Sequence, residues 1–423
     1  ALHRYAPGEL IPGYDEAQLL SLRQAQFNRR FMRPGLVQPR VGRFFPKGIL
    51  IGVPGVVGGD RTAFRVVSAD DDRLRLDLNH PLSDKPLELS ATIESIWTPD
   101  GQCGGRPKQV RDLVTADGPD YAGQVVFSEL ETPGSVRDSE PDSGILIQET
   151  IISDILPPRC RNSHKGSYGW MLGVGGNHGM SGAVRLSGEA ALRAGAGKVT
   201  LATRPAHAAL VNLTCPELMV RGMEDAAGLR ELLGQVDVVV TGTGLGRDDW
   251  ADAMLQACLE APSTVVVDAD GLNILAGLSV GQAAEAWPRQ RWILTPHPAE
   301  AGRLLGCSAR EIQSDRVTAA QRLAERYQAV VVLKGCGSVV ADPGGRYAIC
   351  PYGNPGMASA GSGDVLSGVI GAMAAQGLDP WNAATTGVLA HALAGDRAAK
   401  RIGERGLLAS DITACLPGVL NPS

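Results

Sequence analysis

The chain has 423 residues, room for two or three domains at roughly 150 residues each. Its 40 Lys and Arg against 45 Asp and Glu leave a net charge of -5 in a composition that is 20% charged and 44% hydrophobic. That balance fits a packed globular protein and excludes polybasic binding to nucleic acid. The longest apolar runs, such as Val236–Val240 and Ala329–Leu333, fall far short of the ~18 residues that cross a bilayer, so no membrane partner is expected. No basic leader with an apolar stretch opens the chain, and its start at Ala1 rather than Met fits a processed or trimmed terminus. Eight cysteines, at 103, 160, 215, 258, 307, 336, 350 and 415, include no Cys-x-x-Cys pair and no cluster with histidine. Reduced thiols of a cytoplasmic protein are expected, with neither zinc nor disulfides. Glycine is abundant, at 53 residues against a usual ~7%, which implies loops that approach ligands closely.

Taken in chain order, residues 1–134 carry short strand-like runs and turns and read as a β-rich (α+β) domain. The stretch Glu131–Gly144 is polar, aperiodic and rich in Pro, Gly and Ser, which is linker chemistry, and 135–150 is assigned as the linker. From 151 to 423 the pattern changes. Apolar runs Trp170–Val174, Lys198–Ala202, Val236–Val240, Thr264–Val267, Trp292–Leu294 and Ala329–Leu333 alternate with helix-length segments. Such alternation predicts an α/β domain, a mostly parallel sheet covered on both faces, whose ligands gather at the carboxyl ends of the strands.

The residues just past each strand are therefore the informative ones. After Val174 comes Gly175-Gly-Asn-His-Gly-Met-Ser-Gly-Ala183, a turn that admits a ligand against bare backbone but fails the dinucleotide fingerprint, because His178 occupies the third glycine position. An ordinary tight strand-to-helix turn explains it equally well. Thr241-Gly-Thr-Gly-Leu-Gly246 is a second bare-backbone turn. Asp268-Ala-Asp270 comes after the next strand, and Thr295-Pro-His-Pro-Ala-Glu300 after the one beyond it. There prolines on both sides stiffen the chain around His297, which is either a ligand contact or an ordinary surface histidine. Lys334-Gly-Cys-Gly-Ser338 is a small-residue loop opened by a cation, able to seat phosphates and equally able to turn a hairpin into Ser338–Ala341.

The most specific segment is Asn354-Pro-Gly-Met-Ala-Ser-Ala-Gly-Ser-Gly-Asp-Val-Leu-Ser-Gly368, glycines leading into a predicted helix at Val365–Ala375. The free N–H groups and positive end of that helix would stabilise an anion. Asp364, at the helix start, reads either as a plain N-cap or as a base beside an anion hole.

Seven stretches, in order, resemble the ADP/ATP-dependent NAD(P)H-hydrate dehydratase family of the ribokinase-like superfamily over about residues 150–423. They are Ser163–Gly166, Gly175–Ala183, Ala194–Gly197, Asp268–Asp270, Leu294–Glu300, Leu333–Ser338 and Gly361–Gly368. The resemblance implies a three-layer α/β/α sandwich. It also implies repair of NADHX or NADPHX, the S-hydrates of NADH and NADPH, at the expense of ADP or ATP with Mg²⁺. On the same resemblance, Ala183, Gly244, Gly246, His297 and Asp364 contact the hydrated dinucleotide. Lys334, Gly335, Cys336, Gly337, Ser338 and Gly363 contact the adenine nucleotide, and Asp364 is the catalytic base. A bacterial-type preference for ADP and a homotetramer are implied in the same way. Gly-Ser-Gly-Asp stands where Gly-Thr-Gly-Asp is usual, and Gly242-Thr-Gly-Leu-Gly246 where Gly-Pro-Gly-Leu-Gly is usual; neither removes a chemical group from the site.

The N-terminal part lacks the Gly/Asn-rich signature of the epimerase that many such dehydratases carry. Instead Gly42–Gly48 and Phe64–Ile96, with the Asn79-His-Pro-Leu82 turn, resemble part of an FKBP-type prolyl isomerase of the SlyD kind, and a binding or packing module is expected. Two other readings stay open. A small-molecule kinase on the same fold would share Gly-x-Gly-Asp, although the Thr-Pro-His-Pro and Lys-Gly-x-Gly-Ser loops favour the dehydratase. A peptide-binding module with a vestigial dehydratase half is the second.

Overall fold

The computed structural model describes residues 19–28, 38–41, 43–54, 56, 63–70, 72–78, 144–278 and 291–421. The chain divides into two compact units, Ala1–Glu94 and Ser95–Ser423. Residues 79–143 lie outside the described residues, and with them Cys103, the Asn79–Leu82 turn, the expected boundary at 134 and most of the expected linker. Gly42 lies outside them as well.

In the first unit, strands β1 (Leu19–Arg23), β2 (Phe44–Pro46), β3 (Ala63–Ala69) and β4 (Arg73–Asp77) form an antiparallel sheet in the order β1-β4-β3-β2. Alternation places Phe64, Val66, Leu74 and Leu76 on one face, fully buried with Phe27, Ile49 and Leu50. The Phe27 and Phe45 rings meet edge to face at 5.1 Å, a favoured aromatic geometry. The expected β-rich character is present in these residues.

The second unit is built on one ten-stranded sheet in the order β5-β14-β13-β12-β11-β10-β9-β6-β7-β8. Its strands are β5 (Ile145–Leu146), β6 (Trp170–Val174), β7 (Lys198–Thr203), β8 (Met219–Gly222), β9 (Val238–Thr241), β10 (Thr264–Val267), β11 (Trp292–Leu294), β12 (Val330–Leu333), β13 (Ser338–Ala341) and β14 (Tyr347–Cys350). From β12 through β8 all pairings are parallel, whereas β13 runs antiparallel to both neighbours. Strand β5 pairs with β14, so the sheet takes in part of the stretch 135–150.

Helices α1 (Thr150–Ile155), α2 (Ser181–Arg193), α3 (Pro205–Ala208), α4 (Ala226–Leu233), α5 (Asp249–Leu259), α6 (Ala269–Gly277), α7 (Pro298–Leu305), α8 (Ala309–Ser314), α9 (Arg316–Tyr327), α10 (Ser362–Ala375), α11 (Pro380–Ile402) and α12 (Ala409–Leu420) complete the described part of the unit. The period-two rule sorts the strand residues into two cores. Val238, Val240, Val266, Ile293 and Val332 pack under α2, α10, α11 and α12, while Val239, Val265, Val267, Leu294 and Val331 pack under α4, α5, α6, α7 and α9. Both faces are covered, which is why the strands read as unbroken apolar runs, and the unit is the expected three-layer α/β/α sandwich.

Two features fix where ligands can act. From β6 the chain moves outward through β7 and β8, then returns to the other side of β6 as β9, which makes the β6–β9 crevice the topological switch point. Helix α10 is held deep in the molecule: a Cβ at Gly368 would lie 2.0 Å from the Ser187 carbonyl oxygen, so only a bare backbone lets α10 and α2 approach this closely. That contact aims the first turn of α10 at the carboxyl ends of the strands.

Candidate active site

Loops at the carboxyl ends of β9 through β12 are tied into one rim by backbone bonds that continue the ladder. Asp268 N–H donates to Thr241 O at 3.0 Å, Thr295 N–H to Val267 O at 3.1 Å and Lys334 N–H to Pro296 O at 2.9 Å. The side chains just past the strands are thereby brought side by side. Asp268 is 1% exposed, and its carboxylate accepts bonds from Lys334 Nζ at 2.5 Å, Ser367 Oγ at 2.6 Å and the Ala269 amide at 2.8 Å. Lys334 Nζ also lies 4.0 Å from Glu300 Oε2. Burial opposes the lysine's charge, but Asp268 and Glu300 outweigh it and hold the ammonium above its usual range.

Helix α10 delivers Asp364 to this cluster. The helix begins three residues earlier than its apolar pattern predicts, because Gly361 adopts a left-handed conformation (φ 88°) and serves as N-cap with no side-chain bond. Asp364 is therefore not an N-cap aspartate; it sits within the first turn, among amides that have no intrahelical acceptor. A Cβ on Gly363 would stand 3.4 Å from Lys334 Nζ and 3.7 Å from Asp268 Oδ2, so this turn rests on the Lys334–Asp268 pair. Burial raises the Asp364 carboxyl to about 7, with repulsion from Asp268 and Asp270 adding to it and Lys334 opposing. A carboxylate poised at neutrality beside helix-start amides can take a proton from a hydroxyl.

His297 supplies the N-cap of α7: its Nδ1 accepts from the amides of Ala299 at 3.1 Å and Glu300 at 3.3 Å, while Glu300 accepts the His297 amide at 2.8 Å. This capping box holds the ring at the rim with its side chain 47% exposed, so the capping and ligand-contact roles are compatible. Burial and the Lys334 charge lower the imidazole's pKa, which favours a neutral ring. Glu300 is raised by burial to about 7, despite Lys334.

The remaining expected dinucleotide contacts gather at the switch point. The turns after β6 and β9 clasp each other through Gly176 N–H to Thr243 O at 3.2 Å and Asn177 N–H to Gly244 O at 2.7 Å. A Cβ on Gly244 would be 3.0 Å from that of Ala183, which places those two residues in contact range. Gly246 donates its amide to Asp270 Oδ2 at 3.0 Å and so joins this clasp to the charged cluster. Asn177, 4% exposed, locks the clasp: its Nδ2 donates to Leu245 O at 2.9 Å and its Oδ1 accepts from Arg204 Nε at 2.9 Å.

Lys334–Ser338 turns the β12–β13 hairpin, and Ser338 Oγ donates back to Gly335 O at 3.1 Å. Cys336 is exposed at its tip, and the seven described cysteines form no disulfide. Four residues of the site had no role assigned from sequence: Asn177, Asp268, Asp270 and Glu300. All lie in motifs already singled out, but Leu245, Arg204, Lys334, Ser367 and Gly246, which they meet, stand far away in the chain.

Among the described residues, no three His, Cys, Asp or Glu side chains are grouped to hold a metal ion, and both Asp268 oxygens are occupied by protein donors.

Comparison with known proteins agrees with this geometry. A family described as NAD(P)H-hydrate dehydratase matches residues 171–417. A bifunctional NAD(P)H-hydrate repair enzyme from Coxiella burnetii is 47% identical over 312 residues, 74% of this chain and 62% of its own length. Its counterpart from Moorella thermoacetica is 39% identical over 386 residues, 88% of this chain and 70% of its own. The chain thus spans about three fifths of the length of the Coxiella relative. Among solved structures, the ADP/ATP-dependent NAD(P)H-hydrate dehydratase from Bacillus subtilis, co-crystallised with ATP and Mg²⁺, superimposes with a TM-score of 0.58 at 30% identity, covering 65% of this chain and 97% of that one. A ribokinase-like superfamily protein from Enterococcus faecalis gives 0.60 at 28% identity, covering 66% and 95%. Motifs, fold and relatives agree: the chain belongs to the NAD(P)H-hydrate dehydratase family.

Proposed function

We propose that this chain restores NADH and NADPH from NADHX and NADPHX, transferring the terminal phosphoryl group of ADP, or of ATP, to the hydroxyl of the hydrated ring. Asp364 accepts the hydroxyl proton as its oxygen attacks the phosphoryl group, and AMP or ADP departs. Phosphate then leaves the ring carbon, driven by the lone pair of the ring nitrogen, and loss of a proton from the adjacent carbon restores the double bond. Amides of Gly361 to Gly363 stabilise the transferring group, and Mg²⁺ accompanying the nucleotide would supply further neutralisation of phosphate charge. Lys334, Gly335, Cys336, Gly337, Ser338 and Gly363 hold the nucleotide; Ala183, Gly244, Gly246 and His297 hold the dinucleotide beside Asp364. The observation that carries this reading is the Asp364 carboxyl, poised near neutrality at the start of α10 and beside Lys334.

The same reading has a cytoplasmic homotetramer, a dehydratase domain at 151–423, a linker at 135–150 and a prolyl-isomerase-like binding module at 1–134. Among the described residues, no helix is long and apolar enough to cross a membrane. The test is to follow the near-ultraviolet absorbance of the reduced nicotinamide on adding (S)-NADHX and Mg²⁺ with ADP, with ATP or with neither. A rise that requires nucleotide is expected, faster with ADP. A stable phosphorylated product in place of NADH would instead mark a kinase.

A further inference from the structure

Arg316, the first residue of α9, carries a cation that the proposed chemistry does not use. It is 3% exposed and lies beneath the hairpin loop between β12 and β13. Its Nη2 donates to the carbonyls of Leu333 at 3.1 Å, Lys334 at 3.3 Å and Gly337 at 3.3 Å, and its Nη1 donates to Gln313 Oε1 at 2.6 Å. Its Nε is buried without a hydrogen-bond partner among the described residues. Neutral oxygens are thus its hydrogen-bond partners, where a buried guanidinium ordinarily finds a carboxylate. Burial pulls it down to about 10, which still leaves it charged at neutral pH.

The bonds to the loop have a directional consequence. Across a trans peptide the carbonyl of one residue and the amide of the next point opposite ways, and the described residues contain no cis peptide bond. Drawing the Lys334 carbonyl down to the guanidinium therefore turns the Gly335 N–H to the other side of the loop. The Lys334 amide is already spent on Pro296. Gly335 sits at φ +143°, and a Cβ there would lie 2.9 Å from Nη1 and 3.0 Å from Nη2, so a glycine is what lets the loop rest on the cation.

We propose that Arg316 is a positioning residue for nucleotide recognition: from beneath, it gathers the carbonyls of the 334–337 loop so that loop amide and buried positive charge both face the phosphates of an adenine nucleotide. This rests on reading Lys334–Ser338 as the nucleotide loop. The charge acts on phosphate while the fork shapes the backbone, so the two contributions separate. Arg316→Met removes both, and Arg316→Lys keeps the charge but cannot serve three carbonyls in the same geometry.

The test is isothermal titration calorimetry of the full chain with ADP, AMP and adenosine, alongside steady-state kinetics. Arg316→Met is expected to weaken ADP binding on the order of tenfold or more, adenosine binding far less, and Arg316→Lys to fall between wild type and Arg316→Met. The KM for ADP rises accordingly, while kcat at saturating ADP and the KM for NADHX stay near wild type. Should Arg316→Met not melt cooperatively, Arg316→Lys carries the same comparison of ADP with adenosine, because it keeps the charge and gives up the fork. ADP affinity unchanged in the variants, or lost by equal factors for ADP and adenosine, overturns the proposal alone. Wild type that binds no adenine nucleotide overturns the reading of the loop on which it rests.

Discussion

The two halves of the site are built from opposite materials. At the switch point the turns after β6 and β9 hold one another through backbone bonds and the saturated amide of Asn177, and the proposed dinucleotide contacts there are glycines and Ala183. Beside it, at the ends of β10 to β12 and the start of α10, three carboxylates and one ammonium crowd together, with Asp364 and Glu300 both raised to about 7. The first half is a mould, held by the backbone bonds of the two turns and by Asn177. The second is held under electrostatic tension, the condition in which a group can exchange a proton at neutral pH. On the proposed function, recognition and chemistry are separated along one sheet edge, joined by Asp268-Ala-Asp270, whose first carboxylate belongs to the charged cluster and whose second binds the Gly246 amide.

Substitutions on each side should give different kinetic signatures. The largest effect belongs to Asp364→Asn, which removes the base but keeps the shape: kcat should fall by about 10² to 10⁴, with ADP and NADHX affinities little changed in calorimetric titration. Lys334→Met comes next. It leaves Asp268 buried without its cation, so chemical denaturation should show a loss of about 3 kcal/mol or more, and the KM for nucleotide should rise with it. On the mould side, Asn177→Ala should raise the KM for NADHX several-fold with kcat nearly preserved, because the clasp loosens while the reacting groups stay in place. Equal losses of kcat in Asn177→Ala and Asp364→Asn would dissolve the distinction.

The smallest effect is thermodynamic. Folding raises the Asp364 pKa from 3.8 to about 7, so between those values the folded state binds more protons than the unfolded one. Stability therefore falls as pH rises through this window, and above it the charged form burdens the fold in full. Asp364→Asn is relieved of that burden. Its melting temperature should match wild type near pH 4 and exceed it by a few degrees at pH 8, which differential scanning calorimetry would resolve.

Much of this was legible in the sequence because the sheet is buried on both faces. The runs at Thr264–Val267 and Trp292–Leu294 mark their strands to the residue, and the loops after them carry Asp268, Asp270, His297 and Glu300 of the candidate site. Helix boundaries were less legible where glycine governs them. The apolar pattern starts at Val365, but a left-handed Gly361 begins the helix at Ser362 and so moves Asp364 from a cap into the first turn. Roles that depend on distant partners were not readable at all. Asp268 meets Lys334 and Ser367, and Arg316 meets a loop some twenty residues on, through contacts that exist only once the layers have packed. The Asn177 clasp to Leu245 is of the same kind.

The most direct test of the central claim is the pH dependence of kcat/KM for NADHX, measured at saturating ADP in wild type and Asp364→Asn. If Asp364 is the base, the wild-type rate climbs with pH up to about 7 and then levels, tracking the deprotonation of a carboxyl raised by burial, and the residual rate of the variant lacks that limb. A variant that keeps near-normal turnover, or that shows the same acidic limb as wild type, would contradict the account.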